Sequence, residues 1–274
     1  MGLRIQNNVE AFNAHRNLTG VASNAAKAME KLSSGYRINR AADDAAGLAI
    51  SEKMRAQIGG LDQAQRNAQD GVSLVQTAEG ALNEVHSMLQ RVRDLKVQFE
   101  NGTLSGDDKD AIATEIGQLA TEIKDIGSQT KFNGTALLTG NTVTFQVGAA
   151  SGETIDTTGF TLTGASGAQN VTDLSGATTS AAVSGLSLDD IDDAIKNVST
   201  ARANFGAVQN RLEHRLNNLA TYQENLVASE SRIRDVDMAS EMVNFTKLQI
   251  LQQAGTSMLA QANQAPQNVL SLLR

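Results

Sequence analysis

The sequence predicts a mainly α-helical protein. Its expected architecture is an elongated, hairpin-shaped rod of long coiled-coil-like helices with a small β-hairpin tip, in which the N- and C-terminal helices pair. Three observations predict this fold. The 274 residues include no Cys, no Trp, one Pro and 3% aromatics, which favours long helices with cores of Ala, Leu, Ile and Val. Apolar residues repeat every seven positions in two long segments, and between Lys131 and Lys196 the chain has no Lys or Arg and is rich in Thr, Ser, Gly and Ala.

The longest repeat lies near the C-terminus and predicts one uninterrupted helix from residue 191 to residue 233. At 1.5 Å per residue it would be about 65 Å long, so it must lie against other long helices to cover its apolar stripe. Ser187, three residues before Asp190, marks its start. The stripe consists of Ile191, Val198, Phe205, Leu212, Leu219, Leu226 and Ile233.

A second repeat predicts a long helix on the N-terminal side, with a shorter third helix after it. Ser105 followed by Asp108 is a capping box that starts the third helix, with Asp in place of the usual Glu. Asn-Gly pairs at 101–102 and 133–134 mark the turns that follow the second and third helices. The seam of the long helix includes Leu61, Val75, Leu82 and Leu89, and that of the third helix consists of Ile112, Ile116, Leu119, Ile123 and Ile126.

The middle of the chain is a separate structural region. Residues 142–147 and 160–163 alternate polar and apolar side chains, which predicts a small β-hairpin or ribbon. Residues 164–186 have the composition of a loop. Composition alone leaves a disordered low-complexity linker open as the alternative.

Both ends of the chain are also helical in character, and neither has enough apolar width to form a domain alone. We therefore expect each end to need a partner, and a rod with both ends at one pole has a direct way to polymerise. We predict a terminal coiled-coil domain of residues 1–44 and 234–274, and a helical domain of residues 45–233 with a β-rich insert at about 139–186. The assembly positions are Ile5, Val9, Phe12, Leu18, Met29, Leu32, Phe245, Leu248, Leu251, Met258, Leu259, Val269 and Leu272.

Composition and motifs argue against several classes of function. The net charge of −7 disfavours a nucleic-acid partner. No apolar run is long enough to span a bilayer, and the N-terminus lacks the order of a cleavable signal peptide. His15, His86 and His214 are far apart with no metal-ligand spacing, and the acidic cluster at 189–193 suits a helix N-terminus better than a calcium loop. We expect no catalytic site, no metal site and no cofactor.

Residues 31–50, which read KLSSGYRINRAADDAAGLAI, closely resemble the signature of bacterial flagellins. The resemblance continues through residues 69–82, 129–134, 230–237 and 267–270, and it covers about residues 1–138 and 187–274. It implies a structural subunit, and no enzyme, that self-assembles into the bacterial flagellar filament, the helical propeller for swimming. In this family the terminal helices pair as an inner coiled-coil tube and the long heptad helices form the surrounding shell.

The resemblance also implies partners and a location. Family members leave the cell without a cleavable signal peptide, through the flagellar export apparatus and with an export chaperone. They become part of an extracellular filament that meets cap and hook-filament junction proteins, with no nucleic acid and no membrane insertion. Their shell helices bear a patch recognised by the host Toll-like flagellin receptor. The matching positions are Arg91, Leu95, Gln98 and Glu115, with departures from the usual residues at Asp94 and Lys96.

Three other interpretations stay open on the sequence. The first is a junction protein of the same export class, which caps or adapts the filament without propagating it. The second is an enzyme carried on such a scaffold, and the third is a soluble coiled-coil adhesin. Growth of the purified chain into long filaments would separate a self-propagating subunit from the junction protein and the adhesin.

Overall fold

The computed structural model describes residues 8–162, 172–173 and 175–272, with side chains described as far as residue 264. Its helices are α1 (Val9–Ser34), α2 (Ala45–Phe99), α3 (Gly106–Gln129), α4 (Ser180–Ser184), α5 (Leu188–Arg234) and α6 (Met238–Leu272). Its strands are β1 (Lys131–Phe132), β2 (Thr135–Ala136), β3 (Thr144–Gln146) and β4 (Thr154–Asp156). The predicted mainly α architecture is confirmed, with both long heptad segments forming single helices.

Packing divides the chain into two compact units. The terminal unit comprises Met1–Ala56 and Asn225–Arg274, and the central unit comprises Gln57–Glu224. Both divisions fall inside the long helices α2 and α5, so neither unit boundary is a loop. In the described part of the chain, no helix is both long enough and apolar enough to cross a membrane.

The heptad stripes of α2 and α5 form the core of the central unit. A seven-residue repeat keeps the same helix face toward its partner over many turns, which is why so long a stripe can be buried. Leu226 and Ile233, the last two positions of the α5 stripe, are only half-buried and lie in the terminal unit. The buried positions are Leu61, Val75, Leu82, Leu89, Ile191, Val198, Phe205, Leu212 and Leu219.

The β-rich insert differs from the sequence prediction in its strand pairing. Phe145 of β3 lies opposite Ile155 of β4 in an antiparallel pair, whereas Thr161 makes only an isolated bridge with Thr139. The prediction that residues 160–163 supply the second strand is therefore wrong. Gly152, with φ of +88°, lies in the seven-residue connection between β3 and β4, and Phe145 and Ile155 are both buried.

The insert also contains a tight β-turn and a short helix. The turn predicted at 133–134 is present between β1 and β2, where Asn133 and Gly134 have φ of 48° and 83°, as a type I′ hairpin requires. The loop predicted for residues 164–186 contains the short helix α4, so the prediction is wrong there. Residues 163–171 and 174 lie outside the described residues.

Helices α1 and α6 pair in the terminal unit, as the sequence predicted. The pair is antiparallel: the Asn8 Nδ2 donates to the Ala262 carbonyl at 2.7 Å, and the Val236 N–H donates to the Gly35 carbonyl at 3.0 Å. Gly255 allows close approach, since a Cβ there would lie 3.1 Å from the Leu18 Cδ1. The half-buried or buried seam follows heptad spacing, with Ala11, Ala14, Leu18, Val21, Ala25, Ala28 and Leu32 on α1 and Phe245, Leu248, Gly255, Leu259 and Ala262 on α6.

Candidate self-association surface

The paired terminal helices carry apolar side chains that their pairing leaves exposed. We call these side chains the outer face. Among the described residues, thirteen large hydrophobic side chains are exposed, and nine of them lie on α1 or α6. The central unit contributes only Val97 and Tyr222. The outer face consists of Val9, Phe12, Met29, Met238, Met242, Val243, Ile250, Leu251 and Met258.

The outer face follows the same heptad spacing as the seam. Val243 and Ile250 are seven residues apart, and so are Leu251 and Met258, which places two apolar stripes side by side along α6. Phe12 and Val243 are each 71% exposed. A concentration of exposed apolar side chains on one helix pair indicates an interaction site, because covering each such side chain is worth roughly 1.5–3 kcal/mol.

The structure divides the predicted assembly residues into two groups. Leu18, Leu32, Phe245, Leu248 and Leu259 are half-buried in the seam between α1 and α6. Val9, Phe12, Met29, Leu251 and Met258 belong to the outer face. Ile5 lies outside the described residues, and the side chains of Val269 and Leu272 are not among those described.

Four members of the outer face are absent from the predicted assembly positions, namely Met238, Met242, Val243 and Ile250. Val243 and Ile250 stand one position before Asn244 and Leu251, so they lie on a flank of the predicted stripe. Their own seven-residue spacing is the sequence signal for a second apolar stripe on α6. One apolar stripe is enough to explain an intramolecular pair, so the second stripe is available for another contact.

A cleft of about 410 Å³ opens between α1 and α6. Apolar side chains and small residues form most of its walls, so a hydrophobic group from outside would fit it better than a polar one. It connects the seam to the outer face, because Leu18 of the seam and Met258 of the outer face both line it. The lining residues are Ala14, Asn17, Leu18, Val21, Leu251, Ala254, Gly255 and Met258.

Arg234, the last residue of α5, fastens the loop that joins α1 to α2. Its Nη1 lies 2.5 Å from the Glu52 Oε1, its guanidinium stacks 4.9 Å from the centre of the Tyr36 ring, and its carbonyl accepts from the Arg37 N–H at 2.6 Å. The hydrogen bond from Arg234 and the nearby positive charges hold the pKa of Glu52 below its usual value. These contacts of Arg234 hold the segment after α1 against the end of α5, directly before α6 begins.

A second surface lies on the central unit, where Arg91 of α2 pairs with Glu115 of α3. The Arg91 Nη2 is 2.7 Å from the Glu115 Oε1, and the two side chains are 55% and 44% exposed. Gln98 is exposed on the same helix, whereas Leu95 is buried at 2% exposure. A partner approaching this surface would meet Arg91, Gln98 and Glu115 directly, and Leu95 would support them from below.

The titratable groups of the described residues have structural roles. The pKa of Asp108 is lowered by its hydrogen bonds to the side chain and backbone of Ser105, and that of Asp192 by its bond to Arg93. Among the described residues, no group of three or more His, Asp or Glu is placed to hold a metal ion. The arrangement favours association through burial of apolar surface.

Comparisons with known proteins show which family the chain is similar to. Residues 5–143 match the family model of the bacterial flagellin N-terminal helical region, and residues 188–273 match that of the C-terminal helical region. The chain is 56% identical to a flagellin of Halalkalibacterium halodurans over 98% of this chain and 99% of the relative. It is 50% identical to a flagellin of Bacillus subtilis over 99% and 100% of the two chains. Among solved structures, the crystal structure of Bacillus cereus flagellin matches with 33% sequence identity and a TM-score of 0.49. The match covers 56% of this chain and 88% of the Bacillus cereus chain.

Proposed function

The chain belongs to the bacterial flagellin family, and from that premise we propose that the outer face of α1 and α6 is the surface through which its subunits join. The chain is a structural subunit of the bacterial flagellar filament. In the proposed arrangement, the terminal units form the inner tube and the central units form the shell around it. We propose the domain boundaries with it: residues 1–44 and 234–274 form the terminal coiled-coil domain, and residues 45–233 form the helical shell domain.

The concentration of exposed apolar side chains on two paired helices carries this proposal. Nine of the thirteen exposed large hydrophobic side chains of the described residues lie there. A monomer gains nothing from this exposure, whereas a polymer covers it in every subunit. A contact that joins different surfaces on successive copies can repeat without closing and produce a helical filament.

Substitution of an outer-face residue tests the proposal. Val243→Asp places a charge on a side chain that is 71% exposed, so the isolated subunit should fold unchanged while its charge is buried in the polymer at high cost. We expect the variant to form no sedimentable filaments after salting-out, while its helix content by circular dichroism stays that of the wild type. Sulfate-type salts are the suitable trigger because they strengthen apolar burial.

Val97→Asp is the matched control, because Val97 is also an exposed valine, at 51%, but lies in the central unit. Electron microscopy should find long filaments of this variant. Filaments of Val243→Asp equal to those of the wild type would overturn the proposed surface. Persistently dispersed wild-type chain would instead favour the junction-protein interpretation.

The filament is extracellular, and we propose that this chain reaches it by the family's export route. The route requires the flagellar export apparatus and an export chaperone, and it needs no cleavable signal peptide. Cap and hook-filament junction proteins are then the partners at the two ends of the filament. The exposed terminal helices support a chaperone role, since nine apolar side chains would otherwise meet other subunits too early.

We also propose that the Arg91–Glu115 surface binds the host Toll-like flagellin receptor. Its support is the exposure of a charged pair bridging α2 and α3 beside exposed Gln98. Arg91→Ala should weaken receptor activation in a reporter cell assay by about tenfold or more, as loss of a charge-assisted hydrogen bond requires. Arg66→Ala is the matched control, because Arg66 is also 55% exposed and ion-paired on α2. Equal activation by wild type and Arg91→Ala would contradict the proposal.

A further inference from the structure

Methionine is unusually common on the outer face. Six methionines have described side chains, and four of them, Met29, Met238, Met242 and Met258, are exposed there at 51%, 48%, 50% and 62%. Met54 and Met88 are half-buried, and Met88 packs against the core of the central unit. The chain has no Cys and no Trp, so these four thioethers are the most accessible readily oxidised groups among the residues that the structure describes.

The four methionines occupy two positions along the helix pair. Met238 and Met242 are one turn apart on α6, and the antiparallel pairing of Asn8 with Ala262 and of Gly35 with Val236 places Met29 about level with Met242. Met258 lines the apolar cleft between α1 and α6, beside Leu251 and Gly255. Each sulfur therefore lies where the proposed subunit contact would bury it.

We propose that Met29, Met238, Met242 and Met258 form a reversible oxidation site, at which peroxide converts an assembly-competent subunit into one that cannot join the filament. The inference rests on the proposed function, because it needs the outer face to be the joining surface. The reactive groups are exposed in the free subunit and covered in the polymer. Oxidation therefore acts on subunits before assembly.

The chemistry requires only hydrogen peroxide as the oxidant. The sulfur lone pair attacks one peroxide oxygen, an S–O bond forms and the O–O bond breaks. The departing oxygen takes the proton of the transferred hydroxyl and leaves as water, so the sulfur loses two electrons and the peroxide gains them. The product is methionine sulfoxide, which is polar and is returned to the thioether by the two sulfoxide reductases, one for each epimer.

A sulfoxide on the outer face opposes assembly for a definite reason. Its oxygen is a strong hydrogen-bond acceptor, and the cleft around Met258 is lined mostly by apolar side chains. Burying an unsatisfied acceptor in each subunit should weaken subunit addition by at least about tenfold. A repeated interface multiplies the effect, because every added subunit meets the same cost.

The test treats the purified full-length chain with hydrogen peroxide, removes the peroxide with catalase and measures pelletable filament after salting-out. We expect at least about tenfold less filament, and recovery after incubation with both sulfoxide reductases and dithiothreitol. The variant M29L/M238L/M242L/M258L keeps the apolar volume but cannot be oxidised at the site, so it should assemble equally before and after peroxide. The matched control M54L/M88L keeps the site and should lose assembly as the wild type does.

A second measurement on wild-type protein does not depend on any variant. Partly oxidised chain is induced to polymerise, and peptide mass spectrometry compares sulfoxide at each methionine in the pellet and in the supernatant. Sulfoxide at the four positions should be enriched in the supernatant, and sulfoxide at Met54 and Met88 should not. Equal distribution at the four positions, or equal loss of assembly by the quadruple Leu variant after peroxide, would overturn the inference. Unoxidised wild-type chain that fails to polymerise would instead contradict the proposed function.

Discussion

Gly117 is the residue at which the returning segment of the insert comes closest to α3. A Cβ at this position would lie 2.7 Å from the Ala177 backbone nitrogen and closer still to its carbonyl oxygen. The Gly176 N–H also donates to the Thr121 Oγ1 at 3.1 Å, so backbone is held on this part of the helix from two directions. A neighbour made of backbone cannot rotate away, and a larger residue must therefore displace the segment.

We expect Gly117→Ala to lower the free energy of unfolding of the unassembled chain by about 1–3 kcal/mol, the usual cost of overpacking. Gly80→Ala is the control, because Gly80 is also inside a helix but has open space around its Cβ position. That substitution should raise the free energy of unfolding by about 0.5–1 kcal/mol. Urea denaturation followed by circular dichroism measures both. Equal effects of the two substitutions would contradict the close packing at Ala177.

Lys96 is a residue whose environment no sequence pattern foretold. Its side chain is 1% exposed, yet its ammonium lies 2.6 Å from the Glu100 Oε1 and 3.3 Å from the Val183 carbonyl oxygen. The Lys96 ammonium also stands 4.9 Å from the centre of the Phe99 ring. The carboxylate and the carbonyl satisfy the buried charge, which is the condition under which a lysine can be buried at all. Its hydrogen bond lowers the pKa of Glu100.

At the scale of single elements, helix starts are the features that local sequence controls most directly. The Ser105 Oγ accepts from the Asp108 N–H at 3.2 Å, and the Ser105 N–H donates to the Asp108 carboxylate at 3.1 Å. This reciprocal pair is the capping box that the sequence predicted for α3. It needs no tertiary contact, because all its atoms lie within four residues.

Removal of this cap should weaken α3 measurably. We expect Ser105→Ala to reduce the free energy of unfolding by about 0.5–2 kcal/mol and to speed amide hydrogen exchange in the first turn of α3. Thr179→Ala is the matched control, since Thr179 is the N-cap of α4 but makes no side-chain capping bond. Its effect should stay within about 0.5 kcal/mol. Unchanged exchange in Ser105→Ala would contradict the assigned cap.

The strand pairing of the insert illustrates where element-level prediction failed. Alternation of polar and apolar residues predicted β3 correctly. For the strand that pairs with β3, however, it indicated residues 160–163, whereas the pairing strand is β4. The alternating pattern of Thr154, Ile155 and Asp156 is too short to stand out in a sequence. The observed pairing places Phe145 opposite Ile155, both of which are buried, and this burial depends on the surrounding core.

At the scale of the whole molecule, ionised carboxylates make the folded chain sensitive to acid. Six of them have a pKa below the ordinary value, each because a hydrogen bond or an ion pair favours the charged form. A group whose pKa is lowered by folding stabilises the fold above its unfolded pKa, and this contribution disappears as the pH falls through the folded pKa. The six are Asp43, Glu52, Glu100, Asp108, Asp110 and Asp192.

The free energy of unfolding of the unassembled chain should therefore decline as the pH falls below about 4, where these groups begin to be protonated. Between about pH 5 and 7 the same groups should contribute a constant amount. Urea denaturation at a series of pH values measures this dependence. Glu52→Gln removes one of the six groups and should give a shallower decline. A free energy that stays constant to about pH 2.5 would show that the ion pairs and caps contribute nothing.

The sequence by itself determined the long helices, their heptad stripes, the capping box of α3 and the pairing of the terminal helices. Periodicity and capping are local properties. The stripes that contain Leu82 on α2 and Val198 on α5 have the spacing that any helix needs to bury one face, whatever its partner. The family also followed from the sequence, because the matching segments are long and specific.

Only the tertiary structure decided which apolar residues are used within the chain and which are left exposed. Leu248 and Ile250 have aliphatic side chains of the same size and stand two residues apart. Leu248 is nevertheless half-buried in the seam, whereas Ile250 is 61% exposed. Leu95 is a second example. The family resemblance predicts it at the receptor-recognition surface, but its side chain is buried. Burial depends on the path of a neighbouring helix, and a heptad repeat fixes the width of an apolar face without stating what covers it.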